Sequence, residues 1–283
     1  MNENSGENIV GASILPFSID PRWGKVYFLL GKERKHKTWI CGSEQWSDFG
    51  GRIEHFSEKS SSCSANNGSA NNGNNGNNGN TTNTPSPECV AAREFVEETM
   101  GMVAYFQHDQ GCRTTFQDIA DSLARKEYLF RVVSEYTFDR DDYKTASRKY
   151  ITFVKQIPWQ PSCVQRFADT LSVVYKLRKV PHAEVPAPLQ GHPMFEGKCQ
   201  DGFHMIRNEY VEKKKLGWWS IPQLKEATNT NGALQMCNGR IERCKKTFLN
   251  FIKNLLADFL FHLPEMLDND LSIGAVVNEV HKG

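Results

Sequence analysis

The sequence predicts an α/β domain, and three observations carry that reading. Short runs dense in β-branched and aromatic residues recur at 9–17 (IVGASILPF), 25–30 (KVYFLL), 128–133 (YLFRVV) and 150–157 (YITFVKQI), which is strand composition. Segments with helical capping or helical apolar spacing lie among and after them, at 86–99, 162–178 and 240–262. The 283 residues suffice for one large domain or two small ones. We read one domain over 9–262, an insertion within it at 57–87, and a C-terminal tail at 263–283.

The first two strands flank Asp20-Pro21-Arg22-Trp23-Gly24, which has turn chemistry. A basic stretch follows, with Lys32, Arg34, Lys35, His36 and Lys37, then Trp39-Ile40-Cys41. Such a charge run suits a solvated loop or contacts to phosphate. In Trp46-Ser47-Asp48-Phe49-Gly50-Gly51-Arg52-Ile53-Glu54 the paired glycines predict a tight backbone, close to a ligand or at a bulge. Trp39 or Trp46 is a candidate to stack on a base; beside a glycine turn, either fits the core as well.

Residues 57–87 break the pattern. Asn-Asn-Gly repeats run from Asn66 to Asn80, a composition that cannot build a core and predicts a solvated, disordered loop. Lengthening a surface loop costs little closure entropy. Ser86-Pro87-Glu88 then opens a helix: serine caps, proline suits the first turn, and glutamate favours the positive helix end. Gly101 can supply a left-handed stop. The stretch 180–202, with four prolines and three glycines, reads as extended loop, Phe203–Val211 as a strand, and Leu216–Leu224 as a strand end followed by a short helix. Residues 240–262 carry Phe248, Phe251, Ile252, Leu255, Leu256 and Phe259 along one side of a long helix.

Composition excludes several classes. A formal net charge of +1 gives no global basic excess for nucleic acid. No run reaches the roughly 18 apolar residues of a membrane span. The N-terminus lacks the basic start and apolar run of a signal peptide, so a cytoplasmic protein is expected. The eight cysteines include no CxxC pair, which argues for reduced thiols over disulfides or zinc, and Cys237 and Cys244 read as structural. There is no GxSxG for serine nucleophile chemistry.

The chemistry concentrates at Ala92-Arg93-Glu94-Phe95-Val96-Glu97-Glu98-Thr99. Glu94, Glu97 and Glu98 stand at i, i+3 and i+4, on one helical face. Carboxylates so placed repel one another unless a cation sits among them. Hard divalent ions such as Mg²⁺ take oxygen ligands of this kind and commonly hold substrate phosphates as well.

These residues resemble the Nudix box, GX5EX7REUXEEXGU. Gly50-Gly51 after a strand match its glycines, and Arg93, Glu94, Phe95, Glu97 and Glu98 match its helix. A strand pair before WSDFGG and the late tryptophan strand end with SIPQL extend the likeness. The box departs from the pattern in three ways. The Asn-rich tract splits it. Its first glutamate would fall at Pro85 and is missing there; Glu54 and Glu58, before the insertion, are the two candidates to replace it. Its closing glycine comes one residue late, at Gly101.

The resemblance implies an α/β/α sandwich with a mixed central β-sheet, plus insertions. It implies a pyrophosphohydrolase cleaving the diphosphate linkage of a nucleoside diphosphate joined to another group, dependent on Mg²⁺ or Mn²⁺. Glu94, Glu97 and Glu98 would be the metal ligands, with the Gly50 carbonyl, and one of these acids or a later one the general base. Arg93 would orient Glu97, its i+4 partner. A further acid commonly precedes the late tryptophan, here Glu209 or Glu212, with Glu212 preferred. Gly51 and Trp46 are expected beside the substrate. Selectivity lies outside the box. One alternative is RNA 5′-cap hydrolysis, suggested by Arg140, Lys144, Arg148, Lys149, Arg166, Lys176, Arg178 and Lys179. Another is a catalytically inactive binding module of the same fold.

Overall fold

Apolar runs buried on both faces pull Ile9–Asp20 (β1) and Lys25–Glu33 (β2) into an antiparallel pair with Phe17 opposite Phe28. The turn between them closes through the amides of Trp23 and Gly24 on the Asp20 carbonyl, with Gly24 at φ +59°. The computed structural model describes residues 9–35, 43–53, 84–103, 115–138, 146–176, 211–236, 239–268 and 278–282.

One mixed eight-stranded sheet forms the centre. Its main path runs from Asn278–Lys282 (β10) through Phe130–Phe138 (β5), Ala146–Gln156 (β6), β1 and β2 to Trp46–Ser47 (β3). β1 lies parallel to β6 and forks on its other edge. Phe17–Asp20 pairs with β2, while Gly11–Ile14 pairs with Phe49–Arg52 (β4). Lys213–Ser220 (β7) lies antiparallel along β2.

Helices cover both faces. On one, Pro87–Glu98 (α1), Phe116–Ala124 (α2) and Cys163–Lys176 (α3) pack Phe95, Ile119, Leu123, Phe167 and Leu171 against Ala12, Ile14, Leu29, Phe49, Ile151 and Phe153. On the other, Ile221–Asn229 (α4) and Lys246–Asp268 (α5) pack Leu224, Phe248, Ile252, Leu255 and Phe259 against Leu15, Phe17, Phe28, Leu30 and Val154. A small hairpin, Ala233–Gln235 (β8) with Ile241–Arg243 (β9), joins α4 to α5. The arrangement is the expected α/β/α sandwich on a mixed sheet.

α1 starts where the sequence places it. Ser86 is the N-cap, its hydroxyl accepting from the Cys89 amide, with proline in the first turn. It stops through two successive left-handed residues, Met100 (φ +52°) and Gly101 (φ +62°), with the Gly101 amide on the Val96 carbonyl.

Three elements differ from expectation. α2 was not anticipated, although Thr115 and Asp118 form a capping box that the sequence spells out. At the C-terminal end, α5 continues past residue 262 to Asp268, and β10 lies parallel to β5 from Phe130 to Ser134. The late strand begins at Lys213, after the segment assigned to Phe203–Val211, of which only Val211 is among the described residues. The Asn/Gly tract, Glu54, Glu58, Trp39, His36, Lys37, Glu209, Arg140, Lys144, Arg178 and Lys179 also lie outside them.

Candidate active site

α1 lies across β1 and β4, so the last turn of the helix meets the double glycine. Gly51 leaves room for the helix side chain, and Gly50 leaves room for the paired strand β1. A Cβ on Gly51 would sit 2.4 Å from the Glu94 carboxyl carbon, and one on Gly50 would sit 2.3 Å from Ser13 Cβ. The Gly50 amide donates to Glu98 Oε2 at 2.9 Å. Although the box is split in sequence, its two halves touch.

Glu97 and Glu98 are buried, and Glu94 is half-buried. Arg93 donates to Glu94 Oε1 at 2.7 Å. The sequence expectation directed Arg93 to Glu97; the contact found is with Glu94, whose carboxylate turns toward the glycines. Burial, with the charge of Glu97, raises the Glu94 pKa to about 7 against the opposing pull of Arg93. Burial also drives Glu98 well up, with Glu33, Glu94 and Glu212 adding to it and Lys213 opposing.

Two groups that sequence reading passed over complete the site. Asp48 accepts from Ser13 Oγ at 2.6 Å, and that hydroxyl lies 2.9 Å from Thr152 Oγ1. Burial raises the Asp48 pKa, with Lys213 opposing. Tyr150, whose hydroxyl donates to the Ala12 carbonyl at 3.3 Å, is raised by burial and then by Asp48, Glu98 and Glu94. The second group is Lys213, 1% exposed. Its ammonium lies 2.6 Å from Glu33 Oε1 and 3.1 Å from Glu98 Oε1, and also donates to Ser47 Oγ and the Asp48 carbonyl. Burial alone would depress its pKa, but Glu33 and Glu98 outweigh that and hold it above the ordinary lysine value. No local pattern marks either residue. Asp48 adjoins the glycine pair, and that adjacency is the one available signal.

Solved structures similar to this chain include Nudix proteins. A mutT/nudix family protein from Listeria innocua is 11% identical with a TM-score of 0.35, over 92% of this chain and 98% of that one. A Nudix hydrolase from Alicyclobacillus acidocaldarius is 11% identical with a TM-score of 0.36, over 89% and 93%. A C. elegans Ap4A hydrolase is 10% identical with a TM-score of 0.32, over 89% and 100%. No family model matches the chain. No curated protein matches it either.

Of the Nudix-box positions, Arg93, Glu94, Glu97, Glu98, Gly50 and Gly51 come together. Glu212 is exposed at the start of β7, close enough to raise Glu98 electrostatically. Trp46 is corrected. It is fully buried, stacks edge-on against Trp219 and donates its indole N–H to Glu242 at 2.6 Å. It therefore offers no ring face to a base. Lys32 belongs to β2 and not to a solvated loop: it is buried and paired with Glu242 at 3.0 Å. Of the basic residues offered as an RNA surface, Arg166 donates to the Met102 carbonyl and Gln160, and Lys149 pairs with Glu135.

Among the described residues, no three His, Cys, Asp or Glu side chains form a ready-made metal cage. The donor chemistry nonetheless fits a hard cation. Glu33, Asp48, Glu94, Glu97 and Glu98 gather around Lys213 and Arg93, with Lys245 acting at longer range. Burial raises the pKa values of Asp48, Glu94 and Glu98, with neighbouring carboxylates adding to the rise at Glu94 and Glu98 and Lys213 opposing it.

Proposed function

We propose that the chain is a metal-dependent pyrophosphohydrolase of the Nudix type, acting on a nucleoside diphosphate joined to a second group. One observation carries the reading. The Glu98 carboxylate accepts from the Gly50 amide while Glu94 lies against Gly51, so acidic turn and glycine bend form one site despite the insertion. Acids raised by burial in such a place are candidates for function.

Glu94, Glu97 and Glu98, with the Gly50 carbonyl and Glu212, would hold Mg²⁺ or Mn²⁺. When bound, such an ion supplies Lewis-acid polarisation of phosphoryl oxygens and acidifies water. The chain's own contributions follow from its geometry. One of these acids, or a later one, would also accept a proton from water, as a general base requires. Arg93 fixes the direction of the Glu94 carboxylate through its 2.7 Å contact. The Gly50 amide fixes one oxygen of Glu98 and Lys213 the other.

The test is a panel of nucleoside triphosphates, dinucleoside polyphosphates, nucleotide sugars, ADP-ribose and capped RNA, each with Mg²⁺ and with Mn²⁺, products identified by mass. We expect cleavage of a diphosphate bond in at least one of them, dependent on the ion. No turnover of any would leave the inactive binding module as the better reading.

A further inference from the structure

Lys213 reaches the site by two local devices. The β2–β7 register shifts between Lys32, which faces Lys215, and Glu33, which faces Lys213, leaving Lys214 as the extra residue. A bulge of this kind re-aims the side chains beyond it. Without it, Lys213 would share the face of Lys215, whose ammonium lies 5.9 Å from the Trp46 ring centre on the α5 side. With it, Lys213 joins Leu216 on the α1 side. The second device is Gly31. A Cβ there would lie 2.8–2.9 Å from Cγ, Cδ and Cε of Lys213, so only glycine lets the lysine stem cross the strand.

The ammonium then meets four oxygens from separate segments: Glu33 Oε1 on β2, Ser47 Oγ on β3, the Asp48 carbonyl before β4, and Glu98 Oε1 on α1. An ammonium has three protons to donate, so four acceptors over-fill it. An all-oxygen shell around a buried positive charge is the environment that hard cations take. We propose that Lys213 is the built-in counter-ion of the acidic turn: its ammonium holds the cation position on Glu98, and a divalent ion must share that carboxylate with it. Lys213 is thus a positioning residue that restrains divalent-ion affinity and biases the ion toward Glu94 and Glu97. The inference rests on the reading that this turn binds a divalent ion.

The test is Mn²⁺ binding to the full chain without nucleotide, read from the paramagnetic resonance of free Mn²⁺, for the native protein, Lys213→Met and Glu33→Gln. Lys213→Met removes the competing charge and frees Glu98 Oε1, and is expected to tighten Mn²⁺ binding at least tenfold. Glu33→Gln removes the partner on β2, commits the ammonium to Glu98, and is expected to weaken binding at least threefold. A purely structural ion pair would move neither in these opposite directions. Unchanged or weaker binding in folded Lys213→Met overturns the proposal, as does a shift of the same sign in both variants. Should Lys213→Met fail to fold, Glu33→Gln decides alone, and unchanged or tighter binding there overturns it. Native protein that binds Mn²⁺ and hydrolyses a diphosphate, beside variants with unaltered affinity, would sink this inference and spare the functional reading. Mn²⁺ binding gained by Lys213→Met in a chain that hydrolyses nothing would do the reverse.

Discussion

Two lysines are buried on opposite faces of the β2–β7 ladder, and their surroundings differ in one respect. Lys32, on the α5 side, meets the single carboxylate of Glu242, whose other oxygen accepts from Trp46. The buried charges there pair one to one, with the exposed Arg240 guanidinium 3.9 Å from the same carboxylate. Burial opposes ionisation of Glu242, but Lys32 and Trp46 prevail and hold its pKa low. Lys213, on the α1 side, meets two carboxylates, with Asp48 and Glu94 nearby. Carboxylates there outnumber the ammonium: against burial, Lys213 holds Glu33 low, while burial pushes Asp48, Glu94 and Glu98 up. A balanced buried pair is architecture, because it has nothing left to offer a ligand. A surplus of buried negative charge raises the energy of the empty site, and binding a cation relieves it.

The sharpest way to break this comparison is to remove one acid from the surplus. Glu98→Gln is expected to fold with native-like stability and to lose turnover by about 10³-fold or more, roughly 4 kcal/mol of barrier. Steady-state rates on the substrate found by the panel, beside a thermal melt, check both halves. Near-native rates would remove Glu98 from the machinery. On the balanced face the opposite pattern is expected. Lys32→Met removes the buried partner of Glu242, leaving it only the exposed Arg240, and should cost about 3 kcal/mol of stability, read by denaturant titration, with activity per folded molecule retained.

The two faces also differ in the sign of their pH dependence. Folded Glu94 keeps its proton up to about pH 7, whereas the unfolded chain releases it near 4.5. Between those values the folded state binds more protons, so stability without metal falls as pH rises, by about 3 kcal/mol for this group. Glu242 has a lowered pKa and acts the other way: its contribution is present above the unfolded value and is lost as pH falls. Comparing the pH dependence of unfolding in the native chain and in Glu94→Gln isolates the first effect, and equal slopes would refute it. The smallest effect is expected from deleting residues 60–83. Activity should stay within about twofold in the same assay, a change of roughly 0.4 kcal/mol. Loss of Mn²⁺ binding would mean that the tract shapes the site.

Much of the site was legible because it is local. Ser86, Pro87 and Glu88 announce the start of α1, and the spacing of Glu94, Glu97 and Glu98 announces a common face. What escaped depends on partners far along the chain. The Trp46 indole looks available until Glu242, 196 residues on, is seen to accept its N–H. Lys213 reads as one of three consecutive lysines, and its role depends on a bulge, on Gly31, and on Glu33, 180 residues earlier. Arg93 has acidic neighbours at both i+1 and i+4, and only tertiary packing turns it to Glu94. β10 has a single apolar residue, Val280, in Asn278–Lys282, so composition gives no reason to expect a strand where ladder pairing makes one.

The forked edge of β1 bears on how this chain can be handled. Gly11–Ile14 pins β4 before the insertion, and the Ile53 amide adds a bond to the Val10 carbonyl. α1, after it, is fixed by its own apolar contacts to the sheet. Among the described residues, each half is held to the sheet by contacts of its own, so the polypeptide is expected to tolerate opening between residues 60 and 83. Two separately expressed fragments would then reconstitute one catalyst by complementation, and the junction becomes a natural seat for a grafted reporter or a new pair of chain ends.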